Sequence, residues 1–188
     1  MGGCTSSSSV KIDESRKRPV DERIQLKTTT INRARTNVKE TKRDNFIYKL
    51  LKCHNELRKK YNLPELIENL DLEILAEIYA EEFIKNNEKY TYQPNIYKNM
   101  YLGENVIVSD SKEPEEIFNK ILTQLIMNFT LMEEKNYETN DNKSFKKAGH
   151  FTQVIWKDTT DIGIGIMADE EQKKFCTVIL YYPTGNVL

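Results

Sequence analysis

Among 188 residues the chain has three cysteines, two histidines, one tryptophan and seven glycines. Cys4, Cys53 and Cys176 cannot make a disulfide framework, so the domain must stand on a packed core. Two histidines, His54 and His150, exclude a three-histidine zinc centre. There is no HExxH, no C-x-x-C and no P-loop. Gly163 and Gly165 fall inside an alternating strand pattern and lack the third glycine of a dinucleotide fingerprint. No run approaches the roughly 18 apolar residues of a membrane span, and no apolar stretch follows the start as a secretory signal would require. Together these absences point to an intracellular body with no common metal, redox or nucleotide motif.

What is present is charge, unevenly placed. Apolar residues make up 38% of the chain and charged residues 30%, a balance that calls for a substantial unpacked segment. Residues 1–44 carry eleven Lys/Arg against six Asp/Glu, a net of +5, whereas the remainder is net −6. A basic arm is thus joined to an acidic body. The arm lacks interleaved aromatics and the body repels phosphate, so a nucleic-acid partner is not expected.

The start, "MGGCTS", fits the pattern for myristoylation of Gly2 once Met1 is removed, and Cys4 stands where a second acyl chain is often added. One myristoyl chain holds a protein to a bilayer only marginally. Cys4, or the basic run Arg16-Lys17-Arg18 against an anionic leaflet, supplies the second signal. A plain Gly/Ser-rich start would match the same short pattern.

Residues 1–43 read as a disordered basic tether, and 44–188 as one domain. Phe46, Leu50, Cys53, Leu57 and Tyr61 fall at helical spacing after Asp44, and "NLP" at Pro64 ends that helix. A second helix from about Asp71 presents Ile74, Leu75, Ile78, Tyr79 and Phe83 on one face. The stretch "NNEKYTYQPNIYKN", with Pro94, reads as a long loop, and "MYLGENVIVS" as a short β-prone piece. A third helix opens near Pro114, with Ile117, Ile121, Leu125 and Phe129 as its core candidates. Strands are expected at 150–156, over "DIGIGIM" and over "KKFCTVILYY" up to Pro183, the last two as a hairpin. Helices first and strands last give an α+β domain, with helices layered on a largely antiparallel sheet.

His54 sits on the amphipathic first helix, where a hydrogen-bonded core histidine is the better reading. His150 opens "HFTQVIW" and is either a packed core residue or one wall of a polar cleft. Glu104, in "GEN", follows a glycine that lets backbone approach closely, although such a glutamate usually faces solvent.

"GHFTQVIWKDT" (149–159) resembles the hallmark segment of the CAP superfamily: the cysteine-rich secretory, antigen five and pathogenesis-related proteins. "LLKCHNELRKKYNLPEL" (50–66), with His54, Asn55 and Arg58, resembles its first helix. "LGENV" (102–106) resembles its Gly-Glu-Asn motif, and "YYPTGNV" (181–187) its C-terminal strand end. The resemblance implies a three-layer α-β-α sandwich. The lipidation-type start and the few cysteines are most similar to the intracellular Golgi-associated plant pathogenesis-related branch.

The resemblance also implies a cleft built from two histidines and two glutamates. His150 and Glu104 match by motif, and Glu133, in "EEKNY", matches the second glutamate, with Gln124 as its rival. The other histidine is missing, and Tyr90 or Tyr92 takes its position. A phenol with a pKa near 10 is a poor zinc ligand, so Glu104, Glu133 and His150 form an incomplete metal site where zinc is weak and not required.

The expected function is a non-enzymatic, lipid-anchored CAP domain on the cytosolic face of a membrane, Golgi or plasma membrane. It would bind lipid, sterol included, or a protein partner. The rival is a hydrolase or metal-dependent enzyme using Glu104, Glu133 and His150. A third reading is a scaffold that pairs with itself as a homodimer.

Overall fold

The computed structural model describes residues 24–25, 42–85, 96–110, 123, 126–128, 130–135, 148–169 and 174–187. The expectations for Gly2, Cys4, Tyr90, Tyr92, Pro94, Ile117, Ile121, Gln124, Leu125 and Phe129 lie outside the described residues.

Helix α1 (Lys42–Lys60) carries Asp44 in its first turn and Arg58, Lys59 and Lys60 in its last, charges that oppose the helix dipole. Its core face is Phe46, Ile47, Leu50, His54, Leu57 and Arg58, all buried. Cys53 and Tyr61, expected on that face, are half-buried at its margin. The face is therefore rotated towards two polar side chains that hydropathy discounts.

A two-residue strand, β1 (Ile67–Glu68), follows, and helix α2 (Leu70–Lys85) begins one residue later. Asn69 sets that start, its Oδ1 accepting from the backbone N–H groups of Asp71 (3.1 Å) and Leu72 (3.4 Å). The expected Ile74, Leu75, Ile78 and Tyr79 are buried, with Phe83 packed on their rim. The end of the expected long loop forms strand β2 (Ile96–Tyr97), which pairs antiparallel with β3 (Met100–Tyr101) at the start of the expected β-prone piece. Strand β4 (Gly103–Asp110) comes next. Residues 126–128 and 130–135 are helical, with Ile126 buried. The chain then forms the short helix α3 (Gly149–Val154) and strands β5 (Asp161–Asp169) and β6 (Lys174–Tyr182).

Helix α3 corrects the strand expected over 150–156. Phe151, Thr152, Gln153 and Val154 are buried one after another. A helix covered on all sides leaves no polar face, so its sequence has no 3.6-residue period and can mimic a strand's alternation.

The described strands form a four-stranded sheet in the order β1-β5-β6-β4. β5 and β6 pair antiparallel from Asp161↔Tyr182 to Asp169↔Lys174, the expected hairpin, and β4 pairs antiparallel with β6. Only β1 runs parallel to its neighbour. Alternation sorts the strands into two faces. Ile162, Ile164, Ile179 and Tyr181 join α1 and α3 in one core, while Cys176, Val178 and Leu180 meet α2 in the other. This is the expected three-layer α-β-α sandwich. The second core also includes Ile24, 7% exposed, from the basic arm.

On the α2 side, β5 offers glycine where it offers isoleucine on the other. A Cβ on Gly163 would stand 2.2 Å from the Leu72 backbone carbon, and one on Gly165 2.1 Å from that of Ala76. The helix backbone lies directly on the strand, and any side chain there would lift it off.

Candidate functional site

The first turn of α3 leaves backbone N–H groups without intrahelical partners, and its N-cap residue, Ala148, has no side-chain acceptor. Glu133, reaching in from the preceding helical segment, supplies one. Its Oε2 accepts the Phe151 N–H at 2.7 Å, and its Oε1 accepts from His150 Nδ1 at 3.0 Å. Glu133 is 3% exposed, whereas the His150 side chain is 38% exposed. A buried carboxylate at a helix N-terminus meets both the orphan N–H and the positive end of the dipole. His150 covers its second oxygen from the solvent side.

A chain of buried polar groups leads from this point into the α1 core. The Leu50 carbonyl can only accept, so His54 Nδ1 carries the proton (2.8 Å) and Nε2 accepts from the Tyr181 hydroxyl (2.9 Å). The Tyr181 oxygen accepts from Asn105 Nδ2 (3.0 Å), which also reaches the His150 carbonyl (3.3 Å). Burial, reinforced by the Arg58 charge, drives the His54 pKa down to about 4, so the ring is neutral. Burial likewise pushes the Tyr181 phenol up. His54 is thus the hydrogen-bonded core histidine that the first helix calls for.

Arg58 is fully buried, and the partners found for it are backbone carbonyls. Nε donates to Pro64 (2.7 Å), Nη1 to Val154 (2.9 Å) and Trp156 (2.8 Å), and Nη2 to Thr159 (3.0 Å). The planar fork ties the end of α1 to the exit of α3. Sequence reasoning missed this role, as it missed those of Asn105 and Tyr181. The signal was the spacing of Leu50, His54 and Arg58, three residues four apart on one helix face.

Beside α3 lies a polar cleft of about 190 Å³, lined by Leu102, Gly103, Glu104, Gln153, Thr184, Gly185 and Asn186. Gln153 forms its inner wall. Its Oε1 accepts the Gly185 N–H (2.8 Å) and its Nε2 donates to Thr159 Oγ1 (3.2 Å). A Cβ on Gly103 would stand 2.1 Å from Gln153 Oε1, so the glycine of "GEN" makes room for this amide. Asn186, on the cleft wall, is held to α3 by Thr152, whose Oγ1 donates to Asn186 Oδ1 (2.6 Å).

The structure therefore brings Glu133 and His150 into contact and places Glu104, half-buried, on the adjoining cleft. Among the described residues the donor set does not fit zinc: both Glu133 oxygens already accept N–H groups, and His150 Nδ1 faces Glu133. Among the described residues, no group of three or more His, Cys, Asp or Glu side chains is placed to share a metal ion.

Residues 51–181 match the family described as CAP, the cysteine-rich secretory protein family. Golgi-associated plant pathogenesis-related protein 1 of Homo sapiens is 28% identical over 146 residues, 76% of this chain and 86% of the human protein. Venom allergen 5 of Polybia paulista is 26% identical over 133 residues, covering 68% of this chain and 60% of the allergen. Two solved structures share the fold. NaASP2, determined with Zn2+, gives a TM-score of 0.53 at 20% identity, covering 75% of this chain and 80% of NaASP2. BmVAL-1 gives 0.51 at 20% identity, covering 81% of each chain. With two helical layers on a four-stranded sheet, the histidine-led helix at Gly149 and a profile match across most of its length, the chain belongs to the CAP family.

Proposed function

We propose that this protein is a non-enzymatic CAP domain held to the cytosolic face of a membrane by acyl chains on Gly2 and Cys4. It binds lipid or a protein partner there. The observation that carries the reading is the start "MGGCTS", followed by the basic run at Arg16-Lys17-Arg18. A myristoyl chain alone is marginal, and a second acyl group or a few basic side chains near anionic lipid make the anchor stable. The name of the human relative, Golgi-associated, is consistent with a membrane address.

The arrangement at α3 supports the non-catalytic half. A general base needs a free lone pair aimed at substrate. Glu133 has its oxygens turned to the Phe151 N–H and to His150, which accounts for its burial as a helix cap. Zinc is not required on this reading, and the polar cleft beside Glu104 is a binding surface.

Intact mass of the protein from its own cells, with membrane fractionation of Gly2→Ala and Cys4→Ser variants, tests the anchor. Acylated mass and release of Gly2→Ala into the soluble fraction are expected. A bare amino end, or unchanged fractionation, refutes it.

A further inference from the structure

We infer that the chain around Ile24 is an internal strap: it docks on the α2 side of the sandwich and divides the basic arm in two. Ile24 is 7% exposed and belongs to the same core cluster as Leu72, Tyr79, Tyr97 and Val178, while its neighbour Gln25 is exposed. Of the two described residues of this stretch, Ile24 is the one buried in the domain. Helix α1 begins only at Lys42, so chain continuity does not force this contact.

The strap sets how far the domain can stand from the chain's start. The 22 residue steps from Gly2 to Ile24 reach at most about 75 Å, whereas the 40 steps from Gly2 to Lys42 reach about 140 Å. With Ile24 docked, only the shorter piece links the start to the domain, and it enters on the α2 side. Anything that takes the Ile24 position nearly doubles the reach. The docking is independent of acylation, but its consequence at a membrane rests on the lipid-anchor reading above.

Limited trypsin digestion of the full, unacylated chain tests the docking. The bonds after Arg16 and Lys17 should be cut first, and those after Arg23 and Lys27 at least about ten-fold more slowly, because a docked segment must open before a protease can bind it. Equal rates overturn the strap. Ile24→Ser should raise the two slow rates to the fast ones, and Ile24→Val, which keeps an apolar side chain, should leave them slow. If Ile24→Ser unfolds the domain, the ratio in the unsubstituted chain still decides. The acylated chain is then bound to phosphatidylcholine–phosphatidylserine vesicles carrying a dansyl headgroup. Energy transfer from the single tryptophan, Trp156, should fall at least two-fold in Ile24→Ser. Equal transfer overturns the effect on reach. Failure to bind vesicles refutes the anchor and leaves the trypsin result standing.

Discussion

Removing the imidazole at position 54 should flatten the acid response of this domain. His54 is buried, with Nδ1–H given to Leu50 and Nε2 accepting from Tyr181. Its pKa is about 4 in the folded chain against an ordinary 6.5. Between those values the unfolded chain binds a proton that the folded chain refuses, so stability falls as the pH drops through this window. The loss is negligible above pH 7 and complete below pH 4. The whole shift corresponds to about 3 kcal/mol, of which about 2 kcal/mol falls between pH 7 and pH 5. Against a total stability of about 5–15 kcal/mol for a single domain, that is a large fraction. The structural cost has a definite location. A protonated ring donates from both nitrogens, so Tyr181 would have to accept from His54 and Asn105 together, leaving its own buried hydroxyl proton without the acceptor it now has. Urea unfolding of the unsubstituted chain and of His54→Gln at pH 7 and pH 5 measures this. The variant starts less stable, but its loss on acidification should be smaller by about 2 kcal/mol, a difference of roughly 1 M in the urea midpoint. Carboxylates common to both proteins cancel in that comparison. Parallel losses, within about 0.5 kcal/mol, would refute a neutral His54 as the acid-sensitive group.

Five further substitutions, at four residues, probe the same region. Arg58→Leu should cost about 3–5 kcal/mol by chemical denaturation, because four carbonyls, those of Val154 and Thr159 in buried contacts, lose the N–H that Arg58 gives them. Arg58→Lys should recover less than half of this, since an ammonium cannot span the fork; full recovery would mean that the charge alone matters. Gly103→Ala should lower stability by about 1–3 kcal/mol in thermal unfolding, as Gln153 is held by Gly185 and Thr159 and cannot swing aside. If Glu133 is a helix cap, Glu133→Ala costs about 2 kcal/mol and His150→Ala less than 1 kcal/mol, because only the first strands a buried N–H. A reversed order in a urea series would argue that His150 is the organising group.

Helix α2 was readable because its apolar residues Ile74, Leu75, Ile78 and Tyr79 recur at helical spacing, and β5 because isoleucine and glycine alternate along it, although the hairpin is buried on both faces. Helix α3 was not readable, because Phe151 through Val154 are all covered and periodicity reports only the contrast between wet and dry sides. β1 is two residues long, too short to have a pattern. For the site, no rule of spacing joins Glu133 to His150; only the likeness to the CAP motifs paired them, and the geometry then put them in contact. The roles of Arg58, Asn105 and Tyr181 were hidden for another reason. Their value lies in which carbonyl or hydroxyl faces them across the fold, and that is a property of three-dimensional neighbours.

The bare contact between α2 and β5 has one more implication. Most helices rest on a sheet through a cushion of side chains, which can be exchanged, thinned or thickened as sequences drift. At Gly163 and Gly165 there is no cushion, only main chain on main chain. Substitutions on the outer surface of that helix leave this contact alone, but its height above the sheet cannot change without remaking both partners at once.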